Sequence, residues 1–454
     1  MINTSLWCLR KQPYRMFPSD LAFLCVFFAV LPFVYALQVL TGVPEIALIG
    51  YFPLVAALMI KGVKWQAVQY GFLRHTLSAL VFFVIAHNAI SGLEVLLSGN
   101  IGIAGRVLCL FVLPVGVFVL ASNYSDHHQW KLVKVVAITA ILIALELLHE
   151  NVYAWWLDKS TFFQLMNGDY VFSRSGQNLT QLYHSRYRPT GLLEHVHAST
   201  FFVGIGVLAW LAIYLEHGNK LSLLWMTICE MILIVHGVRT PLIASCIAVT
   251  VLIFLARKPQ PGNEQGRWKI ALWILIVAGV SIAVLDPFGT IRQFYLPIFL
   301  HGAWDSRSLV PVNPEVIMTS SINTVSGALM LRLGNEWLSP EFFKGLFGHG
   351  IGASLIGTVD GLDDNVFVMQ IFAQYGLLGS VTFIGLFFAA AVSFWTAFNH
   401  AKGSDSILLV FAFALVVLLG LSMLHSGVIQ RKAIFPILLW AIAIIYGSSC
   451  RGIR

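Results

Sequence analysis

Apolar residues recur in blocks of about twenty along most of the chain, separated by short polar turns and by two long polar stretches. Blocks of that length match the hydrocarbon core of a bilayer, which takes about 20 residues of helix to cross. The pattern predicts spans near 20–41, 44–60, 76–97, 103–121, 133–149, 198–216, 221–236, 240–256, 270–285, 366–395, 406–425 and 433–448, about twelve in all. The expected fold class is therefore all-α: one polytopic integral membrane domain over 1–454, with long polar loops at 150–197 and 286–365.

Composition agrees with the pattern. Hydrophobic residues make up 58% of the chain and charged residues 11%, with a mean hydropathy of +0.81, which excludes an ordinary soluble domain. Cys8, Cys25, Cys109, Cys229, Cys246 and Cys450 lie in apolar runs or near the ends and show no CxxC spacing. That arrangement implies neither a disulfide framework nor a zinc site, and no metal or cofactor is expected.

Charge sets the orientation. The formal net charge is +7, but many of the basic residues stand in short turns between apolar runs, a mark of membrane topology and not of nucleic-acid binding. With a cytoplasmic N-terminus, the inner side receives Lys61, Lys64, Arg74, Lys131, Lys134, Lys220, Arg257, Lys258, Arg267, Lys269 and Lys402. Both termini then lie in the cytoplasm and the two long loops on the outer side. The apolar run after Arg10, Lys11 and Arg15 is too long for a signal peptide and reads as a retained first span.

Polar chemistry concentrates at the outer ends of the predicted spans. In "YRPTGLLEHVHAST", Tyr187 to Thr200, Arg188, Glu194, His195 and His197 crowd the start of an apolar run. The plain reading is a wet helix cap that satisfies end amides. Arg239 in "VHGVRTPLI" is different, because a cation in a short outer turn opposes insertion. Two guanidiniums on one rim, Arg188 and Arg239, can fork onto the oxygens of a diphosphate better than lysines can.

A third cluster, Asp360, Asp363, Asp364 and Asn365, precedes the run near 366. Acidic residues there favour a helix N-terminus through its dipole, and a carboxylate at a low-dielectric boundary also suits a general base. Glu230, His87 and Asn88 fall inside apolar runs and are expected to face the bundle interior as structural hydrogen-bonding groups. "FFKGLFGHGIGAS" predicts a glycine-rich turn at Gly348, Gly350 and Gly352; with no strand before it, the dinucleotide reading does not apply.

At these residues the chain resembles the O-antigen ligase and O-antigen polymerase superfamily of bacterial envelope glycosyltransferases. "RPTGLLEHVHAS" is similar to the family's R-x-x-G stretch, and "GVRTPLIA" to its S-R-T/G-x-L-L-A turn. "LRLGNEW", which holds Arg332, and "LFGHGIG" resemble its R-x-x-x-W and L-G-x-G elements. "DDNVFVMQIFAQYGLLG" resembles its H-N-x-x-L…E-x-G-L-L-G helix. The motifs occur in order from about 188 to 380. Asp364-Asn365 stands where ligases carry H-N, one residue out of register, and together with Glu194 looks more like the polymerase branch.

The resemblance implies a GT-C-like bundle in the bacterial inner membrane and a metal-independent, inverting glycosyl transfer at its outer leaflet. The donor it implies is a polyprenyl-diphosphate-linked glycan, its diphosphate held by Arg188 and Arg239, with Arg332 nearby in the motif set. The hydroxyl of a second lipid-linked unit would attack the anomeric carbon. Asp364, or else Glu194 or His197, would take the proton. Membrane lipid and a chain-length regulator are the further partners to be considered, and nucleic acid is not one. A ligase acting on a lipid A core and a polysaccharide flippase stand as alternatives; the flippase predicts internal repeats and charges at the midplane, whereas the charges here gather at the rim.

Overall fold

The computed structural model describes residues 18–41, 46–60, 75–152, 191–193, 196–236, 239–256, 346–348, 367–401, 404–422 and 434–452. Among these residues all regular structure is helical. Five helices are long and apolar enough to cross a membrane: Thr76–Leu97, Ile101–Ala121, Asp126–His149, Ala198–His217 and Gln374–Phe398. Shorter apolar helices lie at Asp20–Phe33, Pro241–Leu255, Ser406–Leu421 and Phe435–Cys450. The run predicted at 270–285 and most of the two long loops lie outside the described residues.

Where proline and glycine interrupt the apolar runs, the helices break. The run near 20–41 is α1 (Pro18–Val30), a 3₁₀ turn at Leu31–Phe33 and α2 (Val34–Thr41), because Pro32 has no N–H to continue the ladder. The run near 44–60 is likewise divided into α3 (Ile46–Ile49) and α4 (Phe52–Ile60) at Gly50-Tyr51. Tyr51 is buried there, its ring 5.5 Å from that of Phe27.

The next run stays whole as α5 (Thr76–Leu97). It is followed by α6 (Ile101–Val107), a π-helical segment at Leu108–Val112 and α7 (Val115–Ala121), the last starting after Pro114. The helix predicted at 133–149 begins earlier, as α8 (Asp126–Val152), because Gln129 and Trp130 turn inward and are buried.

Three helices then run up and down: α9 (Val196–His217), α10 (Lys220–His236) and α11 (Arg239–Leu255). The α9–α10 turn closes on Gly218, whose N–H bonds the Tyr214 carbonyl at 2.7 Å. Asn219 starts α10, its Oδ1 accepting from the Leu221 N–H at 3.0 Å. The chain ends in α12 (Phe367–Phe398), α13 (Ser404–Ser422) and α14 (Phe435–Gly452).

The core surrounds α9, which packs against α8, α10, α11 and α13. Its apolar residues run all round the helix, and Phe201, Phe202, Ile205, Leu208 and Leu211 are buried, as befits a helix with no lipid face. By contrast, α12 exposes Leu378, Val381, Ile384, Phe388, Val392 and Trp395 at spacings of three and four, one stripe down one side.

Close helix approach rests on small residues. A Cβ on Gly206 would fall 2.5 Å from the Ala140 Cβ of α8, and one on Gly204 would overlap the Ser245 Oγ of α11.

One buried polar bridge ties distant parts of the chain together. The Trp440 indole N–H of α14 donates to Gln129 Oε1 at 2.8 Å, and Gln129 Nε2 donates to the Ala121 carbonyl at 2.6 Å. Replacing Gln129 with leucine strands a buried donor and a buried acceptor, which costs about 2–3 kcal/mol. The expected result is a lower melting temperature of the detergent-solubilised chain than wild type; an unchanged melt would show that the bridge adds nothing.

Candidate functional site

Helix directions place several sequence motifs at one end of the bundle. The short turn between them makes α9 and α10 antiparallel, and two residues separate α10 from α11. Gly204 lies eight residues into α9 and Ser245 six residues into α11, yet they touch, so these helices run parallel with their starts nearly level. The Gly206–Ala140 approach and the 3.0 Å hydrogen bond from Trp210 Nε1 to the Ala137 carbonyl make α8 antiparallel to α9. Thus the end of α8 and the starts of α9 and α11 share one rim.

The start of α12 joins them. A Cβ on Gly204 would lie 3.8 Å from Leu418, close to the end of α13, so α13 ends at the same rim. Phe394 and Phe413 stack 4.1 Å apart across α12 and α13, and Gly420 approaches Phe387, which makes that pair antiparallel. Consequently α12 begins at the rim. Leu80 near the start of α5 contacts Gly385, and His87 lies against Tyr375, so α5 ends there too.

Each sequence-predicted residue can now be located. Arg239 is the first residue of α11 and His197 lies in the first turn of α9, both at the rim. Arg188, Glu194, Arg332 and Asp364 lie outside the described residues. Their neighbours in sequence do not: Gly191 follows Arg188 by three residues, and Phe367, which opens α12, follows Asp364 by three.

Gly191 packs at the rim with a positive φ of 68°. A Cβ there would fall 2.8 Å from Leu147, 2.9 Å from Ser199 Oγ and 3.3 Å from Glu146 Oε2, so only glycine lets this turn lie between α8 and α9. Ser199 lies beside it, and Thr200 in the next turn of α9 and His236 at the end of α10 are buried as well. Two parallel helix starts at one rim present the positive ends of two dipoles, a setting that favours an anion.

At the same end of the bundle lies a feature that hydropathy does not reveal. Residues 346–348, from the glycine-rich motif, pack against α5 and α12 at the level of His87 and Gly376. Gly376 is nine residues into α12, about 14 Å at 1.5 Å per residue. It breaks the helix with φ 63° and ψ −168°. Gly348 has φ 77°, and a Cβ on either glycine would overlap the backbone of the other's segment. So the two glycine motifs, far apart in sequence, make one backbone-to-backbone contact.

Irregular backbone at membrane depth must have its polar groups paired. His87 does this for Phe347: its Nε2 donates to the Phe347 carbonyl at 2.7 Å, which places the ring proton on that nitrogen. The ring also sits 4.9 Å from that of Tyr375, and Tyr375 in turn hydrogen-bonds Asn88. Asn88 is wholly buried, with its amide donating to the Phe111 carbonyl at 3.5 Å. The structural expectation for His87 and Asn88 therefore holds, and His87 acquires a purpose: it ties the glycine-rich segment to α5 beside α12.

Glu230 also lies inside, 8% exposed, beside Cys246 of α11. Its Oε2 has no hydrogen-bond partner among the described residues.

Among the described residues no cluster of His, Cys, Asp and Glu is spaced to hold a metal ion. No protein-family model matches the chain, and no curated protein matches it.

Proposed function

We propose that the chain polymerises polyprenyl-diphosphate-linked oligosaccharide units into a surface polysaccharide, at the outer face of a bacterial inner membrane with both termini cytoplasmic. One observation carries the reading: α9, α11 and α12 all begin at the same rim, and the three polar motifs immediately precede or open those helices. A shared rim is what a single site built from Arg188, Arg239 and Asp364 requires. The resemblance to the ligase and polymerase superfamily supplies the chemistry.

In that chemistry the acceptor hydroxyl oxygen attacks the anomeric carbon, and the bond from that carbon to the diphosphate oxygen breaks. Arg188 and Arg239, with Arg332, hold the charge that develops on the departing polyprenyl diphosphate, aided by the adjoining helix starts. Asp364, Glu194 or His197 accepts the hydroxyl proton. Asp364-Asn365, in place of the ligase H-N, favours extension of a lipid-linked unit over transfer to a lipid A core.

Purified chain in lipid nanodiscs, given its host's lipid-linked repeat unit alone, is expected to yield a ladder of longer lipid-linked products without added divalent metal. Transfer only when a lipid A core is added would replace the polymerase with a ligase. Movement of the unit across the bilayer without any new glycosidic bond would leave the flippase reading.

A further inference from the structure

At the end of the bundle opposite the rim, the start of α8 and the end of α9 enclose a cavity of about 360 Å³. Asp126, His127, Trp130, Lys131, Lys134, Glu216 and His217 line it. Two lysines face two carboxylates, so the lining offers both signs of charge in equal number. Trp130 is 7% exposed, and its indole N–H has no hydrogen-bond partner among the described residues. A buried donor on a cavity wall calls for an acceptor inside the cavity.

The lysines also stand at the end of an apolar stripe. Along α8, Lys131 and Lys134 are followed by Ile138, Leu142 and Leu145 at spacings of three and four, on one helix face. Those three apolar residues are 54%, 50% and 42% exposed. A cavity lined by charges thus continues into a greasy surface about 10 Å long, enough to seat the upper part of an acyl chain.

We propose that this cavity binds the head group of a zwitterionic phospholipid that carries a primary ammonium. Lys131, Lys134 and the Trp130 N–H take the phosphate oxygens; Asp126 and Glu216 accept from the ammonium. The acyl chains lie along Ile138, Leu142 and Leu145. A purely anionic head group would engage the two lysines but bring no cation to the two carboxylates, and a free phosphate would leave the apolar stripe unused. The site stands apart from the glycan reading, at the other end of the molecule.

The test is native mass spectrometry of the full chain, released from detergent after titration with dioleoyl phosphatidylethanolamine or dioleoyl phosphatidylcholine. Phosphatidylethanolamine is expected to be retained at least about tenfold more than phosphatidylcholine, whose methylated ammonium donates no hydrogen bond. The double substitution Lys131→Gln with Lys134→Gln is expected to abolish that preference, and Trp130→Phe, which keeps the ring and removes only the donor, to weaken it several-fold. Wild-type melting temperature in the variants shows that they are folded. Equal retention of the two lipids, full retention by the folded double variant, or displacement of the lipid by 10 mM inorganic phosphate would each overturn the assignment.

Discussion

Replacing Arg239 with alanine is expected to collapse the ladder of long surface glycan to single repeat units in the native host, with the protein still present in the membrane. The residue opens α11, where a cation is opposed by the helix dipole. An anion at the same rim would offset that cost. If that anion is the departing diphosphate, the arginine's pull is greatest in the transition state, and losing a charge-assisted fork costs about 3–4 kcal/mol. That is on the order of 10²–10³ in rate.

Arg188→Ala is expected to act alike, and the double variant far less than additively, because both residues would serve one group. The length distribution on a gel, read beside an immunoblot of the protein, decides the matter. Long chains in both variants would remove the diphosphate role; long chains that remain on the lipid carrier would point to a ligase.

The second large effect is structural. Gly376→Ala is expected to destabilise the chain by about 3 kcal/mol or more, seen as a sharp drop in melting temperature and in monodisperse yield. Its backbone, φ 63° and ψ −168°, lies in a region that glycine alone occupies without strain of about 1–3 kcal/mol. The added Cβ would also strike Gly348 N and the Leu346 carbonyl group, which are backbone and have no rotamer to give way.

Gly102→Ala is the control. Nothing lies within 4 Å of a Cβ there, and the variant is expected to melt like wild type. A Gly376→Ala chain that also melted like wild type would show that the contact between the two glycine motifs is dispensable.

Much of this molecule is legible in one dimension. The span predicted at 76–97 coincides with α5, because the apolar run stops at Ser98-Gly99-Asn100 and nothing inside it breaks a helix. Glu230 is found inside as expected, since lipid excludes a carboxyl from the outward face. Pro32 and Gly50 are visible too, and their breaks could have been drawn from proline's missing N–H and glycine's freedom.

Gly348 and Gly376 belong to another kind of information. Each reads as a turn or a flexible point, but only their contact explains why both must be glycine. Nothing in the spacing joined His87 to residue 347, 260 positions away.

Hydropathy by itself therefore determined the all-helical class and the places where most helices lie, because transfer of apolar side chains out of water depends on local composition alone. It also located Arg239 and His197 at helix starts. The tertiary structure alone decided that α9, α11 and α12 begin at one end of the bundle, and that a glycine-rich segment is held against α5 and α12 at that end. Those facts depend on which helices approach closely, and close approach is set by pairs of small residues such as Gly204 with Ser245 and Gly348 with Gly376. A pairing of that kind is a property of two distant positions together, which no single stretch of sequence expresses.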